Sequence, residues 1–124
     1  MSGMADERIS PSEALQLMSE EGYTYVDVRS PTEFALGHPA GAWNVPWLDN
    51  PDFLGDMRRS FAKEAKLIVG CRTNNRSAKA AAALRGAGYR DVREQRAGMA
   101  GLRDAFGGLI EAGWEESGLP VSRD

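Results

Sequence analysis

The stretch "KLIVGCRTNNRSAKAAAALRGAGYRDVREQ", residues 66 to 95, decides the fold. "KLIVGC" (66–71) is an apolar run of strand length. "RSAKAAAALRGAG" (76–88) reads as a helix whose alanines allow close approach to a sheet and which ends at Gly86 or Gly88. "YRDVREQ" (89–95) gives a second strand, so residues 66 to 95 form a β-α-β unit, for which a parallel pairing and a right-handed crossover are expected.

Upstream, "SPSEALQLMSEEG" places Ser10 at an N-cap, Pro11 at the first helical position and Glu13 where it completes a capping box. The helix is expected to run to about Glu20, with Ala14, Leu15, Leu17 and Met18 on its apolar face and Gly22 as its stop. "YTYVDV" (23–28) reads as a buried strand, "PTEFALGH" as a short helical turn and "GAWNVP" (41–46) as a second short strand. "DNPDF" is a turn, and a helix is expected from Leu54 to Ala65. Downstream, Met99, Leu102, Phe106 and Leu109 are spaced for a last helix that packs on the core, and "EESGLPVSRD" (115–124) reads as a tail after a short polar N-terminus (1–7). Strands alternating with helices make this an α/β domain with a mainly parallel sheet.

A chain of 124 residues that is 42% hydrophobic suits one compact domain, read here as 1–124. One cysteine excludes an intramolecular disulfide, and no apolar run follows "MSGMADER", so neither a secretion signal nor a membrane span is expected and a cytoplasmic setting fits. The formal charge of -3 does not suggest nucleic acid as a partner, but charge is unevenly placed. Residues 65 to 90 contain no Asp or Glu, yet hold Lys66, Arg72, Arg76, Lys79, Arg85 and Arg90, and the only cysteine, Cys71, lies among them.

In a parallel sheet ligands sit beyond the carboxyl ends of the strands, which is where Cys71 falls. The short loop from Cys71 to the helix start near Arg76 points backbone N–H groups and the positive end of the helix at one spot. That field suits an anion and favours thiolate over thiol. Arg72 and Arg76 add full charges, while Asn74 and Asn75 tolerate the left-handed angles a tight loop demands. One Cys and one His cannot make a typical structural zinc site, so no metal is expected.

"CRTNNRS" (71–77) resembles the active-site loop of rhodanese-type sulfurtransferases, in which a cysteine and a few small or polar residues precede Arg-Ser at a helix start. "VDVRSPTEFALGHPAGAWNVP" (26–46) resembles the family's Asp-x-Arg, Glu-Phe, Gly-His-x-x-Gly-Ala and Asn-x-Pro pattern, and "AGMAGL" (97–102) its Gly-Gly-Met-x-x-Trp segment. The three occur in the family's order along nearly the whole chain. The resemblance implies a rhodanese-like α/β fold with a central, mainly parallel five-stranded sheet and helices on both faces. It implies that Cys71 takes a sulfane sulfur from a donor such as thiosulfate, becomes a persulfide and passes the sulfur to cyanide, a thiol or a protein acceptor, with no other cofactor. Arg72, Thr73, Asn74, Asn75, Arg76 and Ser77 would form the anion cradle for the small anionic donor, while Asp27, Arg29, Glu33 and His38 would support the site. No dedicated general base is needed if the thiolate already exists and sulfite leaves.

Asn74 stands where the family often has a loop glycine, Ala97 replaces the first glycine of the late motif, Leu102 its tryptophan, and Pro39 and Ala40 alter the Gly-His segment. Two other readings compete. A Cys-dependent phosphatase or arsenate reductase would resemble Cys-x5-Arg, a wider cradle than the Cys-x4-Arg from Cys71 to Arg76. A non-catalytic binding or regulatory module would often lack the cysteine. The stretch from Leu48 to Ala65 looks like an insertion that caps the pocket and selects the acceptor.

Overall fold

The computed structural model describes residues 7 to 124, so the polar N-terminus expected over 1 to 7 lies, apart from Glu7, outside the described residues. In chain order the elements are β1 (Arg8–Ile9), α1 (Pro11–Glu21), β2 (Thr24–Asp27), α2 (Pro31–Leu36), β3 (His38–Pro39), β4 (Trp43–Asn44) and α3 (Phe53–Ser60). There follow β5 (Lys66–Gly70), α4 (Asn75–Gly86), β6 (Asp91–Gln95), β7 (Leu102–Arg103), β8 (Leu109–Glu111) and β9 (Val121–Ser122). A five-stranded parallel sheet in the order β1-β6-β5-β2-β4 forms the centre. The β5-α4-β6 unit and the five-stranded α/β architecture are as the sequence predicts.

Strand periodicity divides the core in two, because successive side chains leave a sheet on opposite faces. On one face Val26, Leu67, Val69 and Val92 pack against Phe53 and Met57 of α3 and Ala80, Ala81 and Leu84 of α4. On the other, Ile9, Tyr25 and Ile68 pack against Ala14 of α1, Met99 and Trp114. Helices therefore cover both faces. No helix among the described residues is long and apolar enough to cross a membrane.

Local chemistry fixes the helix ends. Ser10 and Glu13 form the expected capping box, and Gly22 closes α1 in the left-handed region at φ 73°. Ser30 and Glu33 form a second capping box at the start of α2. Helix α3 is shorter than expected: Phe61 turns to extended backbone, and its carbonyl accepts from the Tyr89 hydroxyl at 2.9 Å.

The C-terminal quarter departs from the sequence reading. In place of a helix through Met99, Leu102, Phe106 and Leu109 there are tight turns and the β7–β8 hairpin. Met99 is buried, but Phe106 is 97% exposed and Leu109 47%, so the spacing of three and four was coincidental. Gly98, Gly101 and Gly107 all adopt positive φ, which breaks a helix. The buried Gln95 side chain also accepts from the Ala97 and Gly98 amides, both at 2.8 Å, and holds that turn. The expected tail over 115–124 is likewise corrected. Trp114 is fully buried and donates from Nε1 to the Pro120 carbonyl at 2.7 Å, and β9 pairs antiparallel with β3. Side-chain burial and pairing across some eighty residues hold this segment against the body.

Candidate active site

The register brings two strand ends together. Asp27 at the end of β2 lies opposite Gly70 at the end of β5, and Val69 lies opposite Glu94 of β6. Cys71 follows β5 immediately and is 1% exposed. Its carbonyl accepts from the Met99 amide at 2.9 Å, and the Arg72 carbonyl accepts from Ala100, also at 2.9 Å. This approach requires glycine at 98: a Cβ there would lie 2.6 Å from the Cys71 carbonyl oxygen, and closer still to that of Arg72. The late motif thus locks the cysteine's backbone.

Asn74 sits at φ 82°, ψ -14°, in the left-handed region, and begins α4 as its N-cap with no side-chain cap bond. The residue that replaces the loop glycine therefore adopts the glycine-like conformation, as the expectation for asparagine required. The amides of Arg72, Thr73 and Asn74 donate to no acceptor among the described residues. Those of the first turn of α4 lack intrahelical partners, as in any helix. The predicted cradle residues Arg72, Thr73, Asn74, Asn75, Arg76 and Ser77 are thus assembled as one loop and helix start directly after the thiol.

Within that loop the charges are not equivalent. Arg76 makes a two-pronged pair with Glu33 at 2.7 and 3.0 Å. The guanidinium, more than the Ser30 cap, holds the Glu33 carboxyl well below its usual range, at about 2, and Glu33 in turn raises Arg76. Arg76 is therefore largely neutralised, and the positive charge of this segment is less concentrated than the residue count implies. Arg72 is exposed and makes no side-chain hydrogen bond or ion pair among the described residues. It lines a cavity of about 410 Å³ with Arg29, Glu33, Met99, Ala100 and Arg103.

Asp27 and Arg29 are buried together, with Arg29 Nε and Nη2 on the Asp27 carboxylate at 3.0 and 2.7 Å and Nη2 also on the Gly37 carbonyl at 2.7 Å. Asn44, from the same upstream motif, donates to the carbonyls of Asp27 and Arg29 at 3.0 and 2.9 Å. His38 is buried, donates from Nδ1 to the Phe34 carbonyl at 2.8 Å and stacks on the Phe34 ring at 3.5 Å. It faces a different cavity, lined also by Trp43 and Asn44. The stretch after Leu48 does not line the cavity at Arg72. Leu48, Asp49, Asn50 and Asp56 border a third cavity of about 580 Å³, lined also by Arg76, that shares Glu33 as a wall with the cavity at Arg72.

One residue of the site escapes the sequence reading. Glu94 is 4% exposed, and its Oε2 accepts from Ser77 Oγ at 2.9 Å, while Ser77 Oγ lies 3.3 Å from Cys71 Sγ. The available signal is strand alternation, which puts Glu94 on the same face of β6 as buried Val92. A carboxylate at a core-facing position is costly and marks a place to look.

Residues 10 to 105 match the model of the rhodanese-like domain. The chain is 35% identical over 130 residues to thiosulfate sulfurtransferase 16, chloroplastic, of Arabidopsis thaliana, covering 95% of this chain and 98% of that protein. It is 42% identical over 85 residues to the thiosulfate sulfurtransferase GlpE of Pseudomonas putida, covering 68% of this chain and 74% of that one. Among solved structures it resembles Rv0390 of M. tuberculosis, with a TM-score of 0.78, 29% identity, and 94% and 97% of the two chains covered.

Proposed function

The chain belongs to the rhodanese-like domain family, and from that premise we propose that it is a sulfurtransferase carrying a sulfane sulfur as a persulfide on Cys71. The observation that supports this most is the position of Cys71 between the end of β5 and a loop, opening α4, whose amides find no acceptor among the described residues. Free amides and a helix N-terminus stabilise an anion at one point, as an attacking thiolate and then a terminal persulfide sulfur require.

In this reading thiosulfate or a persulfide is the donor. Arg72 attracts the anionic donor from the cavity mouth, and the amides of residues 72 to 76 cradle the persulfide. Arg76 acts indirectly, by fixing the loop to Glu33 rather than by binding the donor. Asp27, Arg29 and His38 hold the surrounding backbone in place. The acceptor is cyanide, a thiol or a protein, and the persulfide itself is the only group the protein needs to carry.

Thiocyanate formation from thiosulfate and cyanide tests the reading, with Cys71→Ser as control. Turnover by the native chain and none by the variant, with unchanged thermal unfolding, is the expected result. Equal turnover by both would overturn it.

A further inference from the structure

A buried thiol must lose its proton before it attacks, and Cys71 has one side-chain hydrogen-bond partner among the described residues. Cys71 Sγ lies 3.3 Å from Ser77 Oγ, Ser77 Oγ lies 2.9 Å from Glu94 Oε2, and Arg8 Nε donates to Glu94 Oε1 at 3.1 Å. Ser77 is fully buried, whereas the Arg8 side chain is 52% exposed, so the series leads from the sulfur through the core to the surface. A serine hydroxyl carries one proton and two lone pairs. Two acceptors lie in reach of that proton, Glu94 Oε2 at 2.9 Å and the Asn74 carbonyl at 3.0 Å, and when it goes to the Glu94 carboxylate the oxygen is free to accept the Sγ–H.

We propose that Ser77 and Glu94 form a proton relay that activates Cys71, an inference that rests on the sulfur-transfer reading above. As the Cys71 sulfur bonds to the outer sulfur of thiosulfate, the Sγ–H proton passes to Ser77 Oγ. The original Ser77 proton passes to Glu94 Oε2. The donor's S–S bond breaks with its electron pair on the departing sulfite. The products are a Cys71 persulfide anion, sulfite and a neutral Glu94, which then gives its proton to solvent beside Arg8. Ser77, now holding the thiol's proton, keeps it and turns its O–H to hydrogen-bond to the anionic persulfide.

Glu94 takes the proton as the sulfur commits its electrons, as a general base does. Ser77 touches the reacting sulfur and is a catalytic residue, whereas Glu94 acts through it and is a positioning residue. The other charged or titratable groups around Cys71 are its exposed neighbour Arg72, Tyr25, Asp27 with Arg29, and Arg76 with Glu33. None of them hydrogen-bonds to the sulfur.

The test is single-turnover persulfide formation with thiosulfate from about pH 6 to about pH 10, spanning the ordinary thiol range. Iodoacetamide alkylation is followed in parallel for the native chain, Glu94→Gln and Ser77→Ala. Glutamine still accepts from the Ser77 hydroxyl but cannot take its proton. Both variants are expected to lose about 100-fold near pH 7 and to rejoin the native rate at high pH, where thiolate forms unaided. Native rates throughout, or a deficit of one size at every pH, would overturn the relay, because a structural role carries no such pH signature. If no donor loads the native chain, the sulfur-transfer reading fails, and alkylation still decides the relay because it reports proton removal alone. If Glu94→Gln does not fold, Ser77→Ala and the native rate in mixed H2O and D2O decide. Two moving protons predict a curved dependence on deuterium fraction, and a straight line contradicts the relay.

Discussion

The ends of β2 and β5 are neighbours in one sheet, joined by the Asp27–Gly70 register, yet they treat polar groups in opposite ways. Beyond β2 the groups are saturated: Asp27, Arg29, Gly37 and Asn44 bond to one another, and the ion pair is buried. Beyond β5, among the described residues, the loop amides of residues 72 to 74 lack acceptors and its exposed cation, Arg72, is unpaired. The contrast separates two roles. The saturated end fixes geometry, and the unsaturated end keeps hydrogen-bonding capacity open, as the proposed anion cradle requires. Strand neighbours need not share a function to depend on one another, since the loop is held from outside by Gly98 and Glu33.

Breaking the saturated end should cost most. Asp27→Ala strands the buried Arg29 charge and is expected to destabilise the chain by about 3–5 kcal/mol in urea unfolding. A loss under 1 kcal/mol would mean that the pair is not the support described. Gly98→Ala attacks the contact between the two ends of the site. The strain of a left-handed alanine against two carbonyls should cost about 3 kcal/mol, together with most of the transfer activity.

The Glu33–Arg76 pair, which ties the unsaturated loop to α2, gives a pH signature. The folded-state carboxyl of Glu33 lies at about 2, below its usual 4.5, so its contribution is fully present above about pH 4.5 and is lost as pH falls through about 2. Partial exposure screens the pair, and about 1–2 kcal/mol is expected. Acid unfolding of Arg76→Ala should lack this component, and a native-like acid profile in that variant would contradict the assignment. The smallest stability effect belongs to Arg72→Ala, which should leave unfolding within about 0.5 kcal/mol. Its cost should appear in the donor, as a several-fold rise in KM for thiosulfate at low salt that shrinks at high salt.

The stretch from β5 to β6 was legible because its determinants are local. An apolar run, an alanine-rich helix and an asparagine able to take positive φ are all visible without the fold. The α1 capping box was legible for the same reason. The C-terminal quarter was not, because its apolar spacing mimics a helix while its glycines, the Gln95 clamp and the β3–β9 pairing act through tertiary contacts. Within the site, residue types placed the cradle, but partners were hidden. Only the fold shows that Arg76 is committed to Glu33, or that Glu94 reaches Ser77 across the register of β5 and β6.

The most direct test of the central claim is intact-protein mass spectrometry of the reduced chain before and after thiosulfate, beside Cys71→Ser. A gain of one sulfur, about 32 Da, on the native chain alone, removed by cyanide or dithiothreitol, is the expected result. No gain from thiosulfate or any other sulfane donor, or an equal gain on Cys71→Ser, would contradict it.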